Sequence, residues 1–317
     1  MGVLAALAIV VFCASLMTGS SGIGLSRTLH ALAGATDEQA RSVLLQVRLP
    51  RLLAGFGVGA LLALAGVLLQ ALFRNPLADP FVLGLSGGAA VGALCAMLAG
   101  WVAFAVQGSA VAGGFVAIAA VYFLARGGGT ARLLLTGVVI ASACGALVSV
   151  LLSLATSVQV RGMVFWLAGD LGWALEPRAS IAAAVLAVLV AVAIARPLNV
   201  LAAGELRARA VGLELETWRL LLFVVCAALT AIAVVSAGTV GFVGLITPHA
   251  VRLGFKTSDH RIVAPAAALA GGTVLAAADL VARTALAPRQ LPVGAIMALI
   301  GAPVFIFLLR TRRPNTH

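Results

Sequence analysis

Arg196 to Arg219 reads RPLNVLAAGELRARAVGLELETWR and carries seven charged side chains: Arg196, Glu205, Arg207, Arg209, Glu214, Glu216 and Arg219. Long stretches of Ala, Leu, Val and Ile with almost no charge run on both sides of it. Helix-forming residues predict two short helical pieces, one after Asn199 and one around Leu213 to Trp218, hinged at Gly204 and Gly212. A polar, helix-prone loop between apolar spans is where a soluble partner can grip a membrane protein. The flanking stretches read as a membrane path, and the loop as the point that receives the push.

Composition says the same of the whole chain. Its 317 residues are 62% hydrophobic and 10% charged, which no soluble domain of this length matches. No polar stretch is long enough for a separate soluble domain, so residues 1–317 are read as one transmembrane domain. The net charge of +11 would suggest nucleic acid if the basic residues clustered on a soluble face. They punctuate apolar spans instead, the pattern of loop charges that set orientation, and nucleic acid is excluded as a partner. Cys13, Cys95, Cys144 and Cys226 lie in apolar runs without metal-ligand spacing and read as small buried hydrophobes; no metal site, disulfide or cofactor is expected.

A span needs about 20 apolar residues. Candidates are 1–19, 51–72, 133–156, 179–196, 218–240, 262–284 and 293–310, while 81–125 divides near Gly100-Trp101 into two. No positive residue precedes the apolar run of 1–19, so it reads as a first span rather than a leader, with the natural start expected slightly upstream. The short piece 243–255, which contains Pro248, is arbitrated by charge. Counting it as a crossing gives ten spans with both termini inside, and 13 of the 21 basic residues fall on the cytoplasmic side. With nine spans only 9 do. The positive-inside rule selects ten and places 196–219 in the cytoplasm. Glycines within the spans (Gly55, Gly57, Gly59, Gly88, Gly92, Gly113 and Gly114) let helix backbones approach. Close packing within one subunit accounts for most of them, and a subunit interface for a few.

Few residues could carry chemistry. A P-loop needs Lys-Ser or Lys-Thr after a glycine-rich cradle, yet the single lysine, Lys256, follows Phe255; any ATP is hydrolysed by another chain. In Arg74 to Gly88, RNPLADPFVLGLSGG, Pro76 and Pro80 stop helix on either side of Asp79. Asn75 and Asp79 are gate candidates, with a tight turn capped by Asp79 as the equal alternative. Arg48 and Arg51, three apart around Pro50, are either interfacial anchors or a dock for an acidic partner. Asp279 lies deep in a span and is expected to pair, with Arg283 four residues on. Gly84-Leu85-Ser86-Gly87 with His249 could be the nucleophile and base of a rhomboid-like intramembrane protease, but a four-residue motif is a weak signal. His260, beside Asp259 and Arg261, is expected on a cytoplasmic surface.

Several blocks together resemble one family: RLPRLLAGFGVGALLALAGVLLQALFRNPLADPFVLGLSGGAAVG, FWLAGDLGWA, the 196–219 loop, GTVGFVGLITPHAVRLG, DHRIVAPAAALAGG, ADLVART and LPVGAIMALIGAPVFIFLL. In family order they cover nearly the whole chain, which is similar to the FecCD permeases of ABC importers for ferric siderophores, haem and cobalamin. The resemblance implies an all-α integral membrane protein of ten transmembrane helices, the type II ABC importer permease fold, in the bacterial inner membrane. It implies a homodimer with the path on its two-fold axis, two cytoplasmic ATP-binding subunits, a periplasmic substrate-binding protein and no catalytic residue in this chain. Glu205, Arg207, Arg209, Gly212 and Leu213 fall in the family's coupling helices. Arg48, Arg51 and Arg283 match positions that pair with acidic residues of the binding protein. Asn75 and a Thr130-Ala131 turn match the cytoplasmic gate, where Ala131 lacks the hydroxyl expected there. Overall similarity leans towards haem, with ferric siderophore and cobalamin as alternatives. A proton-coupled secondary transporter is the weaker rival, since the spans hold no acid–base series.

Overall fold

A computed structural model of the chain describes residues 1–19, 37–127, 129–173 and 177–311. Among them there is helix and no strand, as apolar runs of span length require. The helices are α1 Gly2–Met17, α2 Glu38–Val43, α3 Leu49–Phe73, α4 Leu85–Leu98, α5 Ala103–Ala125, α6 Gly129–Leu154 and α7 Ser157–Leu167. They continue with α8 Pro177–Ala193, α9 Ala195–Ala202, α10 Glu205–Ala210, α11 Leu215–Ala237, α12 Val243–Phe255, α13 His260–Thr284 and α14 Val293–Thr311. A π-helical turn, Leu44–Arg48, joins α2 to α3, so that Glu38–Phe73 forms one span of 36 residues.

Among the described residues five helices are long and apolar enough to cross a membrane: this span, α5, the 131–154 part of α6, α11 and α13. The pair α8 and α9, bent by 66° about Ile194, makes a sixth, and α1, α4 and residues 293–308 of α14 are shorter apolar helices. Three element ends have a clear local cause. Arg74 in the left-handed region (φ 50°) stops α3. Asp79 accepts a hydrogen bond from Phe81 N at 2.8 Å and caps the 3-10 turn Pro80–Leu83, which is the tight-turn alternative for Asp79. Thr156 and Gln159 form a reciprocal capping box that starts α7.

The centre of the fold is α3, whose apolar window is 89% buried in the chain itself. It packs against α13, α11, α8 and α12. Glycine makes these crossings close: a Cβ at Gly59 would collide with the backbone oxygen of Gly271, and one at Gly66 with that of Gly244. Without a hydrophobic force between helices in lipid, this backbone contact holds α3 to α13 and α12. Gly59→Val is therefore expected to lower stability by about 1–3 kcal/mol, read as a shift of the unfolding midpoint in detergent, whereas Gly108→Val, with open space around it, leaves the midpoint unchanged.

Three local expectations are corrected. Leu213–Trp218 is not a separate helical piece: an independent helix forms at α10, between Gly204 and Gly212, and from Leu215 the chain is already in α11. Thr130 and Ala131 lie in the first turn of α6 rather than in a turn, because the reversal is made by Gly127 and Gly129 with φ of +79° and +70°. Cys13 and Cys95 are exposed on the single chain, Cys13 on the largely exposed α1 and Cys95 on the outward face of the mostly buried α4; Cys144 and Cys226 are buried.

Candidate docking and coupling sites

Chemistry concentrates at the two ends of α3. At the end near Arg48, a carboxylate anchors a charge cluster. Asp279, 2% exposed on α13, receives Arg51 Nε at 3.0 and 3.3 Å through its two oxygens, and its Oδ2 lies 2.8 Å from Arg283 Nε. Arg51 reaches further, to Gln290 Oε1 at 3.1 Å and Asp170 Oδ1 at 3.4 Å. Arg48 lies buried and donates to the carbonyls of Leu16 and Met17 at 2.8 and 3.3 Å, where the last turn of α1 presents unsatisfied acceptors. The pairing of Asp279 with Arg283 is as expected; Arg51, Asp170 and Gln290 are further members. Asp170 sits after the left-handed Gly169 in a non-helical link, a place where no periodicity marks it. Two guanidinium groups, Arg51 and Arg283, face the carboxylates of Asp279 and Asp170, and Arg48 lies beside them against the end of α1.

At the opposite end of α3 lies the 196–219 segment. Glu205, the first residue of α10, brings two guanidinium groups together: Arg74 from the end of α3 at 2.8 Å and Arg219 from α11 at 2.6 Å. Arg219 also holds Glu216 at 2.8 Å. The acidic residue suits the start of a helix, and Arg207 and Arg209 suit its end. Gly204 (φ +121°) and Gly212 (φ +78°) bracket α10, conformations that favour glycine. Arg207 and Arg209 are exposed, with Leu206 86% and Val211 68% exposed beside them. Leu213 instead packs half-buried against the core and fixes the root of the loop.

Behind α10 a cavity of about 540 Å³ is lined by Gln70, Arg74, Asn199, Arg252, Asp259 and His260 among others. Asn199 on α9 donates to Asp259 Oδ1 at 2.8 Å, and its own oxygen accepts from His260 N at 3.0 Å. Asp259 also accepts from Arg261 N at 3.0 Å and so caps α13. The Asn199 bond, helped by that of Arg261, holds the Asp259 carboxyl below the usual carboxylate range, so it stays ionised near neutral pH. His260 is buried, not on the surface as expected, because its ring is drawn under α9 with Nδ1 2.6 Å from Asn199 Oδ1. Gln70 donates to the carbonyls of Gly244 and Leu245 at 3.2 and 3.3 Å and accepts from Arg252. A lone amide in the apolar α3 is a signal that could have marked Gln70 from sequence.

The gate candidates lie on separate elements. Asn75 Oδ1 accepts from Leu77 N at 2.9 Å, closing a turn after α3. Ala131 is exposed at the start of α6; the side chain of Thr130 lies outside the described residues. Ser86 and His249 are both buried, on the separate helices α4 and α12.

A helical fold built on apolar spans with an exposed charged loop defines an integral membrane protein. The sequence profile of the FecCD transport family matches residues 7–311, and the chain belongs to that family. A cobalamin import system permease protein, BtuC of Halobacterium salinarum, is 45% identical over 282 residues, 87% of this chain and 75% of that protein. The vitamin B12 import system permease protein BtuC of Salmonella paratyphi A is 43% identical over 272 residues, 83% of this chain and 82% of that protein. A solved chain described as an inward-facing metal-chelate type ABC transporter superposes with a TM-score of 0.85 at 32% identity, covering 98% of each chain. The PsaBC complex of Streptococcus pneumoniae shares the fold with a TM-score of 0.57 at 18% identity. The chain is thus a multi-pass inner-membrane permease subunit of an ABC transporter and not itself an enzyme; ATP hydrolysis belongs to a separate subunit.

Proposed function

We propose that the chain is the permease of an ATP-driven importer that carries cobalamin from periplasm to cytoplasm by alternating access. The observation that carries this is the identity, above 40% over most of the chain, to permeases named for cobalamin or vitamin B12. The metal-chelate neighbour is consistent with it, since cobalamin is a cobalt chelate. The leaning towards haem finds no support among these relatives.

In this reading α1, α3, α4, α5, α6, α8, α11, α12, α13 and α14 are ten crossings of one domain, and both termini are cytoplasmic. The basic count supports the orientation. Two copies form a homodimer around the path. Only 11% of the apolar window of α6 is buried, and Ser142, Ser149 and Ser153 share one of its faces, each returning its hydroxyl to a backbone carbonyl of its own helix. A face of that kind suits a second copy and a ligand path better than lipid chains. Arg48, Arg51 and Arg283, gathered at this end of α3, would receive acidic residues of a periplasmic binding protein. Two ATP-binding subunits would hold α10, where Leu206 and Val211 add apolar contact to Glu205, Arg207 and Arg209 between the hinges Gly204 and Gly212, with Leu213 as anchor. Closure of the ATPases would push α10 and rock the two copies, opening or closing the path at Asn75, Thr130 and Ala131.

ATPase activity of the reconstituted permease–ATPase complex tests this. Binding protein loaded with cobalamin is expected to stimulate hydrolysis, and the same protein offered haem or a ferric siderophore is not. Stimulation by haem alone would overturn the cobalamin reading, and failure of any ATPase to associate would overturn the importer reading.

A further inference from the structure

Between the ends of α3, α5, α6 and α11 that lie nearest the coupling loop is a cavity of about 370 Å³. Its floor is apolar: Leu72, Phe73, Leu133, Leu220 and Phe223, with the ring of Tyr122 6.3 Å from that of Phe223. Its rim is ionic: Arg126, Arg219 and Glu216. Glu216 is held by Arg219, whose other nitrogen is held by Glu205, itself shared with Arg74, so these four charges, two of each sign, compensate one another. Arg126 is exposed and makes no ion pair among the described residues. An uncompensated guanidinium above an apolar floor, at the level where spans meet cytoplasm, has the polarity of a lipid: a phosphate outside and hydrocarbon within.

We propose that this cavity binds one anionic phospholipid of the inner leaflet, its phosphate on Arg126 and an acyl chain along Leu72, Leu133 and Phe223. The proposal rests on the orientation given above. A free anion would leave the apolar floor in water, and a zwitterionic lipid would set its own cation beside Arg126. Arg219 belongs both to this rim and to the Glu205 bridge, so the bound lipid and the coupling loop share a side chain. A change of inner-leaflet charge is thereby felt at α10.

The test is native mass spectrometry of the full-length permease, titrated with phosphatidylglycerol or with phosphatidylcholine of identical chains. Wild type is expected to retain phosphatidylglycerol in preference. Arg126→Gln is expected to weaken that retention about fivefold, as loss of one surface arginine does, with phosphatidylcholine unaffected. Arg161→Gln, which removes an exposed arginine outside this cavity, should change neither. Leu220→Trp, which fills the floor, is expected to reduce both lipids without touching charge. Equal retention by wild type and Arg126→Gln would overturn the site, as would displacement of the lipid by inorganic phosphate at millimolar concentration. A shift of the monomer–dimer distribution in Arg126→Gln in place of lipid loss would assign the cavity to a second copy and also overturn it. The permease alone is used, so failure here is distinct from failure of ATPase stimulation.

Discussion

Asp279→Asn is expected to destabilise the permease by about 3–5 kcal/mol, the cost of breaking a buried charge pair by removing one partner. The carboxylate is 2% exposed and meets guanidinium groups from two helices, Arg51 on α3 and Arg283 on α13. An amide keeps the shape and loses the charge, leaving Arg283, itself 4% exposed, without a carboxylate partner. Arg51 retains Asp170 at 3.4 Å and the amide oxygen of Gln290 at 3.1 Å. The unfolding midpoint in detergent should fall accordingly. Replacing Arg283 by Leu in the same chain should restore part of the loss, because the second buried charge goes with it. A single variant within about 1 kcal/mol of wild type would mean that water already screens the cluster.

Glu205→Ala is expected to act on coupling far more than on stability. Its two ion pairs join partly exposed side chains, and such pairs contribute about 0–1 kcal/mol each to folding. Mechanically the carboxylate is placed otherwise: it ties α10 to the end of α3, the buried centre of the fold, and to the start of α11. Without it a push on α10 reaches the spans through the backbone at Gly204 and Gly212 and the packing of the small Ala208. ATP consumed per substrate imported should rise about tenfold, the factor equivalent to one charge-assisted hydrogen bond of roughly 1.4 kcal/mol. Parallel measurement of uptake and phosphate release in proteoliposomes checks this, and an unchanged ratio would reduce the bridge to a surface ion pair.

The helices were legible because lipid selects long runs of one kind. The candidates 51–72, 179–196, 218–240, 243–255 and 262–284 correspond to α3, α8, α11, α12 and α13 with ends displaced by at most three residues. Alternation of apolar run and charged loop is a local signal, written into the same residues that form the element. The same locality hid α7, whose capping box Thr156–Gln159 heads a helix too short and too mixed to read as a span. It also hid α10, a six-residue helix whose limits depend on two glycine conformations rather than on composition.

The site divides along the same line. Sequence alone determined that the protein lives in a membrane, that residues 196–219 form its charged handle, and that Asp279 must find a cation, because an ionised group in an apolar span has no other inexpensive state. It pointed to Arg283 because i and i+4 share a helix face. Only the tertiary structure decided that Arg51, 228 residues away, would be the other partner, that Asp170 and Gln290 would join it, and that Glu205 would bridge Arg74 to Arg219. Those meetings are set by where α3 crosses α13 and α11, and the crossings are set by backbone contact at small residues such as Gly59 and Gly271. Periodicity along the chain states which face of a helix prefers lipid or protein. Which other helix supplies that protein depends on shape, and shape exists only once the helices have packed.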